Sequence, residues 1–174
     1  MKFSYSWDES QFLKSALYDY YCGAQEQRRR LFLGAVLIAI LGFLALKWVE
    51  QGVDLLDVAL VALAGIWLSL RRRLLVRMFR RAFQRSGQSG LELSYTLNEE
   101  GLIAQVNDRP PQTYGWEEIQ KVIRTEQGFL LYPGMLWLPL SALEGDYTPG
   151  EVAALMQRKV NTYQDKSQRS LSIN

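Results

Sequence analysis

Few side chains of this sequence have the types and spacing that catalysis requires. The 174 residues include no histidine and one cysteine, Cys22, so Ser-His-Asp and Cys-His arrangements, which need an imidazole to take the proton of the nucleophile, are excluded. The usual Cys and His ligands of zinc are missing as well. Glu117 and Glu118 are neighbours that point apart on a strand or turn, which makes a shared acid/base pair a poor candidate. We therefore expect a protein that is not an enzyme, that has no cofactor and in which Cys22 is a buried structural thiol.

Two apolar runs occupy the middle of the chain. Residues 31–49 carry one charge, Lys47, whose ammonium can extend to a membrane interface. Residues 55–70 also carry one charge, Asp57. Both runs are too apolar all round for surface helices and approach the roughly 17 to 25 residues that cross a bilayer. The sequence predicts a transmembrane hairpin over residues 28–73 with these runs as its spans, and a buried helical hairpin of a soluble protein is the alternative.

The charges beside the two runs predict their orientation. Arginines stand directly before the first run, at 28–30, and directly after the second, at 71–73, whereas the connecting loop EQGVD is acidic. Under the positive-inside rule both termini are cytoplasmic and the short loop lies outside. We therefore expect a multi-pass protein of the cytoplasmic membrane.

Two features of the runs have a second interpretation. Asp57 is expected at the interface, where it reaches water, and an ion or proton site within the membrane is the alternative. Small residues such as Gly34, Ala39 and Gly65 permit close packing of helices, either within the hairpin or between two copies of the chain. A homo-oligomer therefore stays open.

An arginine-rich segment follows the second run. Its apolar residues gather on one side of a helical wheel and its arginines on the other, which predicts a juxtamembrane helix and a hinge over residues 74–90. The helix either lies along the anionic inner leaflet or continues from the second span with its apolar side against protein. Nucleic acid is not expected as a partner, because the apolar side has no role in contacts with phosphate. The predicted membrane-surface residues are Arg71, Arg72, Arg73, Arg77, Arg80 and Arg81.

The two ends of the chain predict a small cytoplasmic domain. Residues 1–27 begin with FSYSW, whose alternation is typical of a strand, and continue with a helix that Asp8 caps. The strand is expected to fold back onto the sheet formed by residues 91–164. That sheet is closed by a helix with a capping box between Thr148 and Glu151, extending to about residue 164, and residues 165–174 are expected to be a flexible tail.

The predicted fold class is thus an α+β membrane protein, in which a two-helix transmembrane hairpin carries a small antiparallel β-sheet domain closed by a C-terminal helix. Trp116 and Ile119 are expected in the core of that domain. Trp137 and Leu138 point in opposite directions on a strand, so one of them is expected to face outward or a partner. The predicted partner surface consists of Tyr114, Trp137 and Arg109.

The order of these features resembles the YcxB-like family of bacterial membrane proteins. The resemblance covers most of the chain, and its residues are the turn Glu100-Gly101, Trp116 with Ile119 in WEEI, the pair Leu131-Tyr132, and Leu138-Pro139 before the last helix. It implies two membrane helices and a cytoplasmic domain like a pleckstrin-homology (PH) domain. The resemblance supplies no catalytic or ligand residues.

The leading functional hypothesis is a non-enzymatic membrane anchor that presents a PH-like domain at the cytoplasmic face for binding a protein or a lipid. Between residues 91 and 174 seven basic residues face eleven acids, which argues against phosphoinositide capture by the domain and for a protein partner. The alternative is a small immunity or accessory subunit that acts through its transmembrane hairpin on a membrane partner.

Overall fold

The structure is a computed structural model that describes residues 1–23 and 26–168. Within that part of the chain it combines α-helices with β-sheets, so the α+β class is confirmed. The chain divides into two compact units. The domain combines Met1–Gly23 with Arg80–Asn174, and the inserted unit is Ala24–Phe79. The domain is therefore assembled from two pieces of chain that are separated in sequence by the whole inserted unit.

The strands are β1 (Lys2–Trp7), β2 (Leu91–Leu97), β3 (Gly101–Val106), β4 (Gln112–Gly115), β5 (Lys121–Arg124), β6 (Gly128–Tyr132), β7 (Leu136–Pro139), β8 (Leu143–Glu144) and β9 (Tyr163–Asp165). The helices are α1 (Glu9–Cys22), α2 (Glu26–Gln51), α3 (Leu55–Ser86) and α4 (Pro149–Lys159).

The domain contains two sheets. The first has the order β4-β3-β2-β1-β8 and is antiparallel throughout its described pairs. The second has the order β7-β6-β5-β9, in which β9 runs parallel to β5 and the other pairs are antiparallel. The parallel strand β9 was not predicted, because its three residues carry no alternation that a sequence pattern can detect.

The N-terminal strand β1 lies inside the first sheet, between β2 and β8. Its register places Phe3 opposite Tyr95 and Tyr5 opposite Leu93. Phe3 is fully buried, whereas Lys2 is exposed, as the period of two in FSYSW requires. The prediction that the first strand folds back onto the C-terminal sheet is confirmed.

Helix α1 covers the second sheet. The Asp8 carboxylate accepts a hydrogen bond from the backbone N–H of Gln11 at 2.7 Å, which confirms the predicted N-cap. Tyr18 and Cys22 on this helix pack in a cluster with Ile123, Leu130 and Trp137. The buried position of Cys22 agrees with the predicted structural thiol.

The main core lies between the sheets and α4. Trp116 and Ile119 are both buried in it, as predicted, and Trp116 belongs to a short 3-10 turn. The Trp116 indole N–H donates to the carbonyl of Asn98 at 3.1 Å, so the polar atom of this large aromatic is satisfied. Val152 and Met156 of α4 are fully buried against the same core.

Helix α4 begins with the predicted capping box. The Glu151 N–H donates to the Thr148 hydroxyl, and the Glu151 carboxylate accepts from the Thr148 N–H at 2.7 Å. The helix ends at Lys159, which corrects the predicted extension to about residue 164. The next residues, VNT, have low helix propensity, and the carbonyl of Thr162 instead accepts a hydrogen bond from the N–H of Val122.

The end of the chain also differs from the prediction. Residue 165 belongs to β9, and Lys166 continues the pairing through its N–H, which donates to the carbonyl of Arg124. The predicted tail therefore begins too early. Its residues 169–174 lie outside the described residues.

The inserted unit is built from α2 and the larger part of α3. Residues 52–54 form the connection between the two helices. Helix α3 runs without a break from Leu55 through the arginine-rich segment to Ser86. The predicted boundary at residues 73 and 74 therefore falls inside one continuous helix, and the structure has no separate juxtamembrane helix.

Candidate membrane segment and binding surfaces

Helix α2 presents an apolar surface on nearly all sides. Residues Leu31–Glu50 have a mean hydropathy of 2.3, and only 6% of the apolar window is buried. Phe32, Ile38 and Leu46 are each about 70% exposed. Among the described residues, α2 alone is long and apolar enough to cross a membrane by these criteria. An apolar surface of this size is unfavourable in water, because stable folds bury most of their apolar area.

Helix α3 carries an apolar surface of the same kind over a shorter length. Leu55, Leu56 and Leu63 are more than 60% exposed. The helix begins at Leu55, and Arg71 and Arg72 follow the apolar run. Together with Asp57 these charges leave α3 without an uncharged stretch as long as that of α2, and α3 does not meet the same criteria.

Three glycines of the two helices are not packed against another part of the chain. Open space adjoins Gly34, Gly42 and Gly65, where an added Cβ would meet no atom within 4 Å beyond the adjoining backbone of its own helix. Leu44 of α2 is buried, by contrast. Both predicted uses of the small residues, packing within the hairpin and packing between two copies, stay predictions.

A polar cluster joins the two helices at their connection. The Lys47 ammonium donates to the carboxylates of Asp54 and Asp57 at 2.8 and 2.7 Å. The Trp48 indole N–H donates to the second oxygen of Asp57 at 3.0 Å. This turn cluster of Lys47, Trp48, Asp54 and Asp57 therefore contacts both α2 and the start of α3.

The two acids of the turn cluster also cap α3. The Asp54 carboxylate accepts from the N–H of Asp57 at 3.0 Å, and the Asp57 carboxylate accepts from the N–H of Asp54 at 3.2 Å. This reciprocal pair has the geometry of a capping box. The spacing D-x-x-D before an apolar run is a signal for such a box, and it was not recognised in the sequence.

The prediction that Asp57 reaches water is wrong. Its side chain is 2% exposed, whereas that of Lys47 is 21% exposed. Hydrogen bonds and an ion pair satisfy both carboxylate oxygens of Asp57, which is how a buried charge is ordinarily held in a protein. The contacts of Asp57 therefore support a structural role for this acid.

The arginines of α3 divide between the two units. In the inserted unit, the Arg71 guanidinium lies over the ring of Trp67, 5.6 Å from its centroid. Arg72, Arg73 and Arg77 are exposed. A guanidinium over an indole is a cation–π contact, which occurs in proteins of many kinds. The predicted contact of these arginines with a membrane surface stays a prediction.

In the domain, the end of α3 is attached to the start of α1. The Arg80 guanidinium pairs with the Glu9 carboxylate at 2.7 Å, and the rings of Phe83 and Phe12 lie 5.2 Å apart. Phe83 is buried. Of the two predicted placements for this segment, packing against protein is seen at Phe83, whereas its neighbours Ala82 and Gln84 are exposed. Arg80 has an acidic partner in the chain and is also exposed, as is Arg81. The predicted contact of these two arginines with a membrane surface stays a prediction.

Trp137 does not belong to a partner surface. It is 1% exposed, stacks on Tyr18 at 5.7 Å between ring centroids, and its indole N–H donates to the side chain of Gln11 at 2.9 Å. Leu138 is also fully buried. The prediction that one of these two residues faces outward is wrong, because α1 covers one face of β7 and the main core covers the other.

The other two residues of the predicted partner surface are accessible. Arg109 is exposed in the turn after β3, and Tyr114 is half-buried on the edge strand β4. The Tyr114 hydroxyl donates to the Gln112 side chain at 2.8 Å. The structure therefore leaves a polar strand edge at this end of the first sheet.

A groove of about 370 Å³ lies between the end of β2 and helix α4. Leu97 and Leu155 contribute to its lining, and the ring of Tyr147, which is 49% exposed, borders it. Glu99 pairs with Arg158 at 2.9 Å at its edge. No sequence pattern indicated this groove, because residues far apart in the chain form it.

The electrostatics of the groove are locally balanced. Hydrogen bonding to the Lys159 ammonium holds the pKa of the Glu99 carboxyl below its usual range. The backbone and hydroxyl of Thr148 do the same for the pKa of Glu151. The acids beside the groove are thus committed to internal contacts, and its lining is mainly apolar.

Metal chemistry finds no support in the geometry. Within residues 1–23 and 26–168, no group of three or more His, Cys, Asp and Glu side chains is arranged to hold a metal ion. Glu117 and Glu118 lie in the 3-10 turn after β4, and Glu118 accepts a hydrogen bond from the N–H of Gly115 at 2.9 Å.

Comparison of the chain with protein-family models, with characterised proteins and with solved structures finds no match.

Proposed function

We propose that this protein is a non-enzymatic membrane anchor that presents its domain at the cytoplasmic face for binding a protein partner. In this proposal the bilayer covers the apolar surfaces of residues 31–49 and 55–70, which form a transmembrane hairpin. Both termini are cytoplasmic, and the turn cluster lies at the outer end. The PH-like architecture implied by the YcxB-like resemblance belongs to the same proposal.

The division of the domain between two pieces of chain carries the proposal. Residues 1–23 precede the inserted unit and residues 80–174 follow it, yet β1 pairs with β2 along its whole length. A folded domain cannot have its pieces on opposite sides of a membrane. If α2 crosses the bilayer, the chain must cross it a second time before Arg80, and α3 is the helix available for that crossing.

The length of the second run is compatible with a crossing. Sixteen residues from 55 to 70 span about 24 Å at about 1.5 Å per residue, which is somewhat shorter than a typical hydrocarbon core of about 30 Å. Long arginine side chains can extend to the headgroups, and a bilayer thins locally around a short helix. The arginines at 71–73 therefore support a span with its cytoplasmic end at Leu70.

The order of elements in the domain supports the PH-like part of the proposal. Strands β1 to β4 lie in one sheet, β5 to β7 lie in the other, and α4 follows them. The acidic balance of residues 91–174 favours a basic or apolar protein surface over a phosphoinositide as the partner. The groove beside Tyr147 and the strand edge at Tyr114 are the surfaces that we assign to this partner.

Cysteine accessibility tests the anchor. A full-length chain with Cys22→Ala and Val53→Cys carries its only thiol in the connection between α2 and α3. We expect a membrane-impermeant maleimide to label it on intact spheroplasts. A matched chain with Cys22→Ala and Gln105→Cys, whose thiol lies on the exposed side of β3, is expected to react only after the membrane is opened. Labelling of both sites, or of neither, on intact spheroplasts contradicts the proposed hairpin.

Site-specific photo-crosslinking in native membranes tests the binding function. A photoreactive residue at Tyr147 is expected to give a discrete adduct with one protein, and the same probe at Gln105 serves as the matched control. A second probe at Tyr114 examines the strand edge. The absence of any adduct specific to Tyr147 or Tyr114 contradicts the assignment of these surfaces to a partner.

A second candidate function is supported by the open space beside Gly34, Gly42 and Gly65. In this alternative the chain is a small immunity or accessory subunit, and a helix of a membrane partner fills that space. Replacement of residues 31–70 by an unrelated transmembrane hairpin distinguishes the two functions. The anchor retains its crosslinked partner after the exchange, whereas the accessory subunit loses it.

A further inference from the structure

We propose that the turn cluster is a lock that joins α2 to α3 and fixes which residues form the outer end of the hairpin. This inference rests on the proposed membrane hairpin. Its members are Lys47, Trp48, Asp54 and Asp57. Asp57 is the central residue, because its carboxylate accepts hydrogen bonds from side chains of α2 and from the backbone at the start of α3.

The lock supplies an ion pair and an indole hydrogen bond that join α2 to α3. The spaces beside Gly34 and Gly65 are open, although Leu44 of α2 is buried. Helices in a bilayer gain little from apolar contact with each other, because lipid tails are equally apolar. Polar contacts at the turn therefore have a larger share in holding these helices together than they have in a soluble hairpin.

The lock also makes the end of α2 compatible with a bilayer. Lys47 lies within the only described segment that meets the length and hydropathy criteria for a span, residues 31–50. An unpaired ammonium there must be drawn towards water, which shifts the helix along the membrane normal. Pairing with Asp57 removes that requirement, and the positive end of the α3 helix dipole favours the carboxylates that surround the ammonium.

Loss of Asp57 removes three contacts at once. The Lys47 ammonium retains only the half-exposed carboxylate of Asp54, the Trp48 indole loses its acceptor, and the N–H of Asp54 loses its cap. The lock therefore predicts strong coupling between Lys47 and Asp57. Neutralising Asp57 alone leaves the ammonium with one carboxylate in place of two. Neutralising both residues leaves only the Asp54 carboxylate of the lock charged, and this half-exposed group can reach water.

The test uses the full chain with Cys22→Ala and Val53→Cys on intact spheroplasts. We expect Asp57→Asn to lower the fraction of chains labelled from outside about fivefold or more, a typical size for coupled polar neighbours. The double variant Lys47→Gln/Asp57→Asn is expected to recover a substantial part of that loss. Glu50→Gln, which neutralises an exposed acid of α2, is the matched control and is expected to label like the parent.

The outcomes separate the lock from the hairpin itself. If the parent labels from outside and Asp57→Asn labels equally well, the lock is overturned and the hairpin stands. If the losses from Lys47→Gln and Asp57→Asn add up in the double variant, the coupling is absent and the lock is again overturned. A parent that does not label from outside overturns both. Protease resistance of the domain, measured on each variant, confirms that the substitutions act on the hairpin and not on the domain.

Discussion

At the scale of single residues, the hydrogen-bond partners of large or charged side chains decide whether those side chains are buried. Trp137 and Asp57 both looked accessible from their sequence context, and both are buried because other elements supply hydrogen-bond partners for them. Those partners, Gln11 and Trp48, gave no signal of their own. A side chain whose burial depends on such pairings cannot be recognised from its own neighbours in the sequence.

Replacement of Trp137 distinguishes a core residue from a surface residue. We expect Trp137→Ala to lower the free energy of unfolding of the domain by about 3 to 5 kcal/mol, the usual range for a large aromatic removed from a core. Tyr147→Ala, at the half-exposed edge of the groove, is expected to change it by less than about 1 kcal/mol. Urea unfolding in detergent, followed by circular dichroism, measures both. Similar effects of the two substitutions contradict the buried position of Trp137.

Buried phenols predict a loss of stability at alkaline pH. Burial raises the pKa of Tyr95 and of Tyr18 from 10.0 to about 12, and it raises that of Tyr5 as well. Because the folded chain holds these protons more tightly than the unfolded chain, their contribution is complete below pH 10 and is lost as the pH rises towards 12. A pH titration of thermal unfolding, with phenolate absorbance as the second signal, tests this. Titration of all tyrosines near pH 10 without loss of structure contradicts it.

At the scale of elements, patterns that are local in sequence were predicted well. The alternation in LELSYTL, the Asp8 cap and the Thr148-Glu151 capping box all occur as expected, because each depends on residues within a few positions of one another. The end of α4, the parallel strand β9 and the groove were missed. These features depend on pairing with segments that lie far away in the chain, which no local pattern records.

The capping box of α4 predicts a measurable dependence on acid. We expect Thr148→Ala to destabilise the domain by about 1 kcal/mol, the usual effect of removing such a cap.

The pKa of Glu151 and of Glu99 is lower in the folded chain than the ordinary value of 4.5. Their contribution is therefore complete above about pH 4.5 and is lost as the pH falls through the lower, folded value.

Substitution separates this acid dependence from that of other groups. The double variant Glu99→Gln/Glu151→Gln is expected to be less stable than the parent at pH 7 and to approach the stability of the parent near pH 3. Thermal unfolding at both pH values measures the difference. A constant difference between the two chains across this range contradicts the assignment of the acid dependence to these carboxylates.

At the scale of the whole molecule, the domain is interrupted by the inserted unit. The strand-like alternation of FSYSW predicted the return of the first strand to the C-terminal sheet. That alternation does not indicate that the strand lies inside the sheet, with β2 on one side and β8 on the other. The central position makes β1 indispensable, since its removal exposes edges of both neighbouring strands.

Removal of the inserted unit tests the independence of the domain. A chain in which a flexible Gly/Ser linker joins residue 23 to residue 80 is expected to fold and to stay in solution without detergent. Residues 80–174 alone are expected to aggregate or to remain unfolded, because they lack β1 and α1. Circular dichroism and size-exclusion chromatography compare the two chains. A well-folded fragment of residues 80–174 contradicts the structural role assigned to β1.

The interrupted domain imposes an order on biosynthesis. When β1 and α1 leave the ribosome, the strand that pairs with β1 has not yet been translated, and both apolar helices must emerge first. In the proposed anchor, membrane insertion therefore precedes completion of the sheet, and until then the aromatic side chains of residues 1–23 lack their partners in the sheet. A nascent chain that stalls before Leu91 lacks the strand that pairs with β1. We expect chaperones and proteases to bind such a chain, because its apolar side chains stay exposed.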